Sequence, residues 1–159
     1  MIVNLIMQCI TSVSYSFLVN DSVHDRIHPS RGIRQGDPLS PYIFILCGEV
    51  LLGLCKRAQW SGHLSGLRVA THAPQINHLL FADDTMFFLN TDEDSCTTLL
   101  DILHKYRISS GQLINASKSS ISFSAKIPQA IRQRVKTHLG IEKEVGVGKY
   151  LGLLEHFGR

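Results

Sequence analysis

The chain has 159 residues, of which 44% are apolar and 18% charged, and its formal net charge is +3. This size permits one hydrophobic core, and the composition is that of a folded globular chain and excludes a disordered one. A net charge this small is by itself a weak indication of nucleic-acid binding.

Charge is distributed unevenly along the chain. Residues 81–101 contain six acidic residues and no Lys or Arg, whereas residues 102–141 contain seven Lys or Arg and no acidic residue. This arrangement favours cations held beside a phosphate backbone, but two differently charged solvated faces would give the same pattern.

The cysteines and apolar stretches exclude several classes of protein. The four cysteines form no CxxC pair and show no metal-ligand spacing with the eight histidines, which indicates a reducing, intracellular compartment. The longest apolar stretch, residues 42–54, is interrupted by Glu49 and is too short to cross a bilayer. No membrane partner is predicted.

The first elements are a helix and a hairpin. Apolar residues recur at three- and four-residue steps between Ile2 and Ile10, which predicts an amphipathic helix. Alternating apolar residues predict a strand over residues 14–19, followed by a turn at Asn20 and Asp21 and a return strand over residues 26–28.

A loop and a long helix follow. Residues 31–41 are dense in loop-forming residues, and Ser40 followed by Pro41 predicts an N-cap and first helical turn. The helix is predicted to end near Lys56. A glycine-containing linker and a short strand over residues 67–69 come next.

The middle of the chain predicts an acidic hairpin and another helix. Two apolar runs, residues 76–80 and 85–89, flank a turn at residues 81–84. Thr91 is predicted to open the next helix, with Asp94 completing a capping box, and Gly111 to end it. The predicted buried stripe of this helix consists of Cys96, Leu99, Leu100, Leu103 and Tyr106.

The last part predicts further short strands around a helix. Residues 113–115 and 119–123 are interpreted as a strand pair, and residues 149–153 as a final strand. Between them a helix is predicted to begin at Pro128 and end at Gly140. Short strands mixed with helices, without strict alternation, indicate the α+β class.

The acidic pair at the hairpin turn is the first chemical candidate. Asp83 and Asp84 repel each other, and a divalent cation shared with an anionic ligand would relieve that repulsion. Asp is also a common turn residue, so the pair alone indicates little.

Four motifs in order resemble those of one family. Phe-Ala-Asp-Asp at residues 81–84 resembles the aromatic-x-Asp-Asp box of reverse transcriptases from non-LTR, LINE-type retrotransposons, with plant elements the nearest variant. Arg-Gln-Gly-Asp-Pro-Leu-Ser-Pro at residues 34–41 matches the preceding motif. Ser-Gly-Gln-Leu-Ile-Asn at residues 110–115, with Lys118, is similar to the following one. Tyr-Leu-Gly at residues 150–152 resembles the start of the primer-grip strand.

The resemblance implies a partial polymerase palm, in which helices pack an antiparallel sheet that includes the two-stranded acidic hairpin. The implied reaction is RNA-directed DNA polymerisation by two-metal catalysis, with RNA template, DNA primer and dNTP as partners. Asp83 and Asp84 would be catalytic ligands of Mg2+, with Mn2+ as an alternative. Lys118 would protonate or neutralise the departing pyrophosphate; a solvated turn lysine is the other interpretation.

The same resemblance assigns binding roles. Arg34, Gln35 and Gly36 would contact the nucleotide, and Tyr150, Leu151 and Gly152 would position the primer. Residues 154–156 depart from the family, in which a proline-containing continuation is common at these positions. Three cations of the last helix, at residues 132, 134 and 136, would contact template or primer phosphates or form a solvated face.

The same resemblance implies that residues 1–154 are a partial palm that lacks the first catalytic-aspartate motif, the fingers and the thumb. Residues 155–159 would be a tail. A chain lacking that metal anchor is expected to be inactive by itself. Two alternatives are a non-catalytic nucleic-acid-binding remnant and an intron-maturase relative. The family's compartment would be the nucleus.

Overall fold

The computed structural model describes residues 2–30, 32–145, 149–150 and 153–154. The chain divides into two compact units, Met1–Leu46 and Cys47–Arg159, and each is described by itself.

The first unit begins with a helix and a hairpin, as predicted. Helix α1 covers Ile2–Thr11, and strands β1 (Tyr15–Val19) and β2 (Ser22–Ile27) pair antiparallel. The turn residues Asn20 and Asp21 both have positive φ, the conformation of a type I′ hairpin turn. The return strand begins four residues earlier than predicted, and it contains a bulge near Asp25, where φ is 44°.

Helix α2 covers Ser40–Trp60, four residues longer than predicted. Its start differs from the predicted serine cap. The carboxylate of Asp37 accepts the N–H of Leu39 at 2.8 Å, and the Ser40 hydroxyl instead donates to the Arg34 carbonyl at 2.6 Å. Asp37 therefore satisfies a backbone donor before the helix, while Ser40 closes the preceding loop.

Two short antiparallel ribbons follow in the second unit. Strand β3 (Leu67–Arg68) pairs with β4 (Gln75–Ile76), and β5 (His78–Phe81) pairs with β6 (Asp84–Phe87). Gly66 precedes β3 where a Cβ atom would collide with the backbone of β4, so only glycine permits this approach.

Helix α3 covers Glu93–Ser110, and its start differs from the predicted capping box. Asp92 is the N-cap, and its carboxylate accepts both the N–H of Ser95 at 2.7 Å and the Ser95 hydroxyl at 3.0 Å. The hydrogen bond from the Ser95 N–H holds the pKa of the Asp92 carboxyl below its usual value. Gly111 ends the helix in the left-handed conformation, as predicted.

The strand pair predicted over residues 113–123 is not formed. The one pairing there is an isolated parallel bridge between Ile121 and Glu144. Helix α4 covers Gln129–Leu139, with Pro128 as N-cap and Gly140 at its end, as predicted. The predicted final strand is instead two paired strands, β7 (Lys149–Tyr150) and β8 (Leu153–Leu154).

The core of the second unit lies between the C-terminal half of α2 and α3. Its buried members are Leu51, Cys55, Leu64, Ile102 and Tyr106, against which half-buried Phe87 and Leu89 pack. The predicted stripe of α3 is confirmed at three positions, whereas Leu100 and Leu103 are half-buried and Ile102 takes a core position.

The mixture of helices and small antiparallel sheets is of the α+β class. The predicted larger sheet is not formed within the described residues, where strands pair only two by two. No helix in the described part of the chain combines the length and apolar character needed to cross a membrane.

Candidate functional site

The acidic pair lies at the tip of the β5–β6 hairpin. Phe81 pairs with Asp84, so the turn consists of Ala82 and Asp83 alone. Both aspartates are exposed, Asp83 in the turn and Asp84 as the first residue of β6. Ala82 has a φ of 50°, a conformation that costs a non-glycine residue about 1–2 kcal/mol. The surrounding structure therefore stabilises a strained turn directly beside the two carboxylates.

A buried asparagine anchors the base of this hairpin to helix α2. Asn77 is only 3% exposed. Its side-chain N–H groups donate to the Cys55 carbonyl at 3.3 Å and to Gln59 Oε1 at 3.0 Å. Its backbone carbonyl accepts the N–H of Phe88 at 2.8 Å, which extends the hairpin ladder. The hairpin is thus fixed to the helix by directed polar contacts as well as by apolar packing.

His78 completes this polar cluster. The amide of Asn77 uses its nitrogen as donor to α2, so its oxygen is the acceptor and the Nδ1–H of His78 donates to it. Burial, followed by the nearby charge of Lys56, lowers the pKa of His78 below its ordinary value. The imidazole is therefore neutral at physiological pH and keeps this hydrogen bond.

Two adjacent carboxylates suit a cation that retains part of its hydration. Mg2+ is commonly bound by one or two carboxylates together with waters and substrate phosphates. Within the described residues, no group of three or more His, Cys, Asp or Glu side chains is arranged to hold a metal ion. Asp83 and Asp84 thus fit the chemistry of a metal that is shared with a phosphate ligand.

The predicted nucleotide loop belongs to the first unit and is closed by its own hydrogen bonds. The carbonyl of Arg34 accepts the Asp37 N–H at 3.4 Å and the Ser40 hydroxyl at 2.6 Å. Gly36 has a φ of 81°, which the absence of a side chain permits. Arg34 lines a cavity of about 110 Å³ in this unit, whereas Gln35 and Gly36 lie exposed outside its lining.

Lys118 lies in an exposed turn that Asn115 organises. The Asn115 backbone carbonyl accepts the N–H groups of Lys118 and Ser119, and its side-chain oxygen accepts the Ser117 hydroxyl at 2.6 Å. Among the described residues, the Lys118 ammonium forms no ion pair. The turn therefore presents the lysine to solvent.

The motif just before this turn has a structural role. The hydroxyl of Tyr106 donates to Gln112 Oε1 at 3.0 Å, and the Ser110 hydroxyl donates to the Tyr106 carbonyl at 2.8 Å. With Gly111 in the left-handed conformation, these contacts end α3 and direct the chain towards Asn115.

The primer-positioning prediction is only partly covered. Tyr150 lies in β7, and Leu151 and Gly152 lie outside the described residues.

Two of the three cations of α4 pair with an acidic residue and so do not belong to the solvated face that one interpretation predicted. Arg132 forms an ion pair with Glu144 at 2.7 Å and donates to the Ile127 and Ser124 carbonyls at 2.9 and 3.2 Å. Lys136 lies 4.0 Å from the same glutamate, and the side chains of Lys136 and Glu144 are half-buried. These two cations therefore fasten α4 to the flanking segments, and only Arg134 lies on an exposed surface.

Sequence reasoning missed the residues that position the hairpin. Asn77 interrupts an apolar run, and a polar side chain inside a predicted buried strand was the available signal. Gln59 carried no comparable signal, because its role depends on which face of α2 meets the hairpin.

Comparison with known proteins gives matches along most of the chain. A family profile described as "Reverse transcriptase (RNA-dependent DNA polymerase)" matches residues 2–153. An uncharacterised mitochondrial protein of Arabidopsis thaliana is 64% identical over 69 residues, which are 43% of this chain and 57% of that protein.

Retrotransposon proteins are also similar. A retrovirus-related Pol polyprotein from the type-1 retrotransposable element R2 of Popillia japonica is 26% identical over 157 residues, covering 94% of this chain and 25% of the polyprotein. The corresponding polyprotein of Nasonia vitripennis is 39% identical over 67 residues, 42% of this chain and 6% of its own length. The chain thus matches between 6% and 57% of the length of these three relatives.

Proposed function

The chain belongs to the reverse transcriptase family, and we propose that it carries the metal-binding hairpin of a non-LTR retrotransposon's RNA-directed DNA polymerase. Residues 1–154 would form part of the palm. The observation that carries the proposal is the exposed Asp83–Asp84 pair on a hairpin fixed to α2 through buried Asn77. Similarity to retrotransposon Pol polyproteins supports the same class of reaction.

Asp83 would be the principal ligand of Mg2+, and Asp84 the second, with Mn2+ as an alternative ion. A bound ion would supply electrostatic stabilisation to the phosphates of an incoming dNTP. The strained two-residue turn and its anchored strands would hold the carboxylates in place before the nucleotide arrives. A rigid ligand pair loses less conformational entropy on binding than a mobile one.

The remaining roles follow the family motifs. Arg34, Gln35 and Gly36 would contact the dNTP, and glycine at residue 36 leaves the backbone accessible. Lys118 would meet the departing pyrophosphate, because its turn presents an ammonium without an ion-pair partner among the described residues. Tyr150, Leu151 and Gly152 would position the DNA primer on its RNA template.

We expect the isolated chain to bind metal weakly and to extend no primer. Two exposed carboxylates attract a cation through the high dielectric of water, where the Coulomb energy between a divalent ion and a carboxylate about 4 Å apart is only about 2 kcal/mol. A strong site therefore requires the phosphates of a substrate or further ligands.

Metal-directed cleavage tests the site in this chain directly. Fe2+ bound in place of Mg2+ reduces added H2O2 to hydroxide and a hydroxyl radical, and ascorbate returns the resulting Fe3+ to Fe2+. The radicals cut the backbone nearby, so cuts are expected at residues 81–85. Asp83→Asn should abolish them. Asp101→Asn, which removes the same charge from an exposed position on α3, should leave them unchanged. Equal cutting in all three proteins would refute a metal site at the hairpin.

A chimaera tests the reaction. Residues 2–153 would replace the matching segment of the Popillia japonica polyprotein, and primer extension on RNA would be measured. Activity that Asp83→Asn lowers by about a thousandfold or more, and that Asp101→Asn leaves intact, is expected, since a lost metal contact costs several kcal/mol. An active chimaera that tolerates Asp83→Asn would refute the catalytic role.

A non-catalytic nucleic-acid-binding remnant is the second candidate. Its support is a set of exposed cations in the basic segment: Lys105, Arg107, Lys118, Lys126 and Arg134. It predicts salt-sensitive RNA or DNA binding that Asp83→Asn does not weaken, together with an inactive chimaera.

A further inference from the structure

Arg132 of α4 connects this helix to the segments on both sides of it. Its guanidinium donates to the Glu144 carboxylate at 2.7 Å and to the backbone carbonyls of Ile127 and Ser124 at 2.9 and 3.2 Å. It also lies 5.6 Å from the ring centroid of Phe123, a cation–π contact. The planar fork of arginine donates in several fixed directions at once. The Arg132–Glu144 ion pair, the α4 clamp, therefore holds both flanking segments against the same helix.

The glutamate of the α4 clamp also lies in a backbone bridge to the segment that carries Lys118. The N–H of Ile121 donates to the Lys143 carbonyl at 2.9 Å, and the Ile121 carbonyl accepts the N–H of Val145 at 3.0 Å. Glu144 lies between those two residues and pairs with Ile121 in the parallel bridge. Fixing Glu144 through its side chain therefore fixes Ile121 through the backbone.

Only two residues separate Ile121 from Lys118. The carbonyl of Asn115 accepts the N–H groups of Lys118 and Ser119, which closes the turn that contains the lysine. Asn115 therefore holds the start of this turn, and the bridge at Ile121 holds the chain just beyond its end. Without the second attachment the turn could pivot about the first, and a shift of about 1 Å in a reacting group can lower a rate about a hundredfold.

The α4 clamp is shielded from solvent enough to restrain the backbone. The side chains of Arg132 and Glu144 are 21% and 26% exposed, and Lys136 lies 4.0 Å from the second carboxylate oxygen. Fully exposed ion pairs contribute little, because water and salt screen them, whereas screening is weaker for a half-buried pair. Loss of the Glu144 carboxylate would leave both cations without their acidic partner and would release the bridge at Ile121.

We propose that Arg132 and Glu144 are positioning residues for Lys118, which they hold through the bridge at Ile121. The inference rests on the proposed function, in which Lys118 meets the departing pyrophosphate. In that reaction the primer hydroxyl oxygen bonds to the α-phosphorus and loses its proton to solvent. The bond from the α-phosphorus to the bridging oxygen breaks, and its electron pair stays on the pyrophosphate. The Lys118 ammonium neutralises this charge or transfers one proton to it.

Amide hydrogen exchange in the full chain tests the positioning itself. Glu144→Ala is expected to speed exchange at residues 118–121 by about tenfold or more and to leave exchange along α3 unchanged. Glu142→Ala is the matched control, because Glu142 is exposed, carries the same charge and lies two residues away. It should change neither. Faster exchange along α3 as well would show that Glu144 supports the whole unit, and equal exchange in both variants would show that it does not hold the turn; either result would overturn the proposal.

Primer extension by the chimaera described above tests the catalytic consequence. Glu144→Ala and Arg132→Gln should each lower kcat by about tenfold and leave the KM for dNTP within about twofold, since a misplaced Lys118 weakens only the transition state. Glu142→Ala should match the unmodified chimaera. In a chimaera that already carries Lys118→Ala, Glu144→Ala should lower kcat no further, because the group that it positions is absent.

The outcomes distinguish this inference from the proposed function. In a chimaera whose activity depends on Asp83, three results would each overturn the role of the α4 clamp: equal kcat for Glu144→Ala and Glu142→Ala, a rise in KM alone, or a full further loss in the Lys118→Ala background. A chimaera that is inactive or tolerates Asp83→Asn would count against the proposed function instead. Hydrogen exchange in the full chain would then decide whether the α4 clamp holds the turn.

Discussion

Replacing the buried asparagine at the base of the acidic hairpin tests how the structure positions its carboxylates. Asn77→Ala removes a hydrogen bond of 3.0 Å to Gln59, a longer one of 3.3 Å to the Cys55 carbonyl and the bond from His78. At about 1 kcal/mol each, less for the long one, these contacts sum to roughly 2–3 kcal/mol. The Cys55 carbonyl lies within α2 and retains its helical bond, so no full desolvation penalty is added.

Urea unfolding followed by circular dichroism would measure this loss of stability. Asn90→Ala is the control, because Asn90 is exposed and its replacement should change the free energy of unfolding by less than about 0.5 kcal/mol. Asn77→Asp should lower the free energy of unfolding more than Asn77→Ala does, since it would bury a negative charge against two oxygen acceptors. If Asn77→Ala were no more harmful than Asn90→Ala, the amide would not be what fixes the hairpin to the helix.

Three further predictions concern the same unit. Gly66→Ala should destabilise the chain by about 1–3 kcal/mol in urea unfolding, because its methyl group meets the backbone of β4, whereas Gly53→Ala, with open space around it, should not. Burial and a nearby lysine lower the pKa of His78 in the folded state. As the pH falls, this histidine is therefore protonated in the unfolded state before it is protonated in the folded state. Stability should thus be intact above pH 6.5, fall as pH decreases from there, and lose this dependence in His78→Gln. Burial raises the pKa of the Cys55 thiol to about 11, so iodoacetamide should label exposed Cys9 in the native chain and Cys55 only after unfolding. Equal labelling rates, or an unchanged pH profile in His78→Gln, would contradict the burial of those side chains.

Local signals in the sequence predicted local structure well. The type I′ turn at Asn20 and Asp21 and the helix ends at Gly111 and Gly140 depend on backbone conformations that asparagine, aspartate and glycine adopt readily. The acidic hairpin was likewise predicted from two apolar runs around a turn. Such features are decided by a few residues that are neighbours in the sequence.

Features that require distant partners were predicted poorly. Residues 113–123 have a strand-like pattern, yet only Ile121 finds a partner, at Glu144, because a strand forms only where another backbone is in reach. Arg132 looked like a solvated or phosphate-binding cation, but Glu144, twelve residues away in sequence, engages it. The N-cap of α3 was mispredicted for a local reason. Thr91 and Asp92 are adjacent, both residue types are good N-caps, and the helix uses Asp92.

The candidate site depends both on local sequence signals and on contacts with residues that are distant in the sequence. Its two adjacent carboxylates could be predicted from the sequence, but the contacts that attach the hairpin to α2 could not. A hairpin of four pairs with a strained alanine in its turn would be unstable in isolation. Burial of Phe87 and the amide bonds of Asn77 offset that strain by tying the hairpin to α2. The position of the two aspartates at the tip therefore depends on contacts that the base of the hairpin makes with α2.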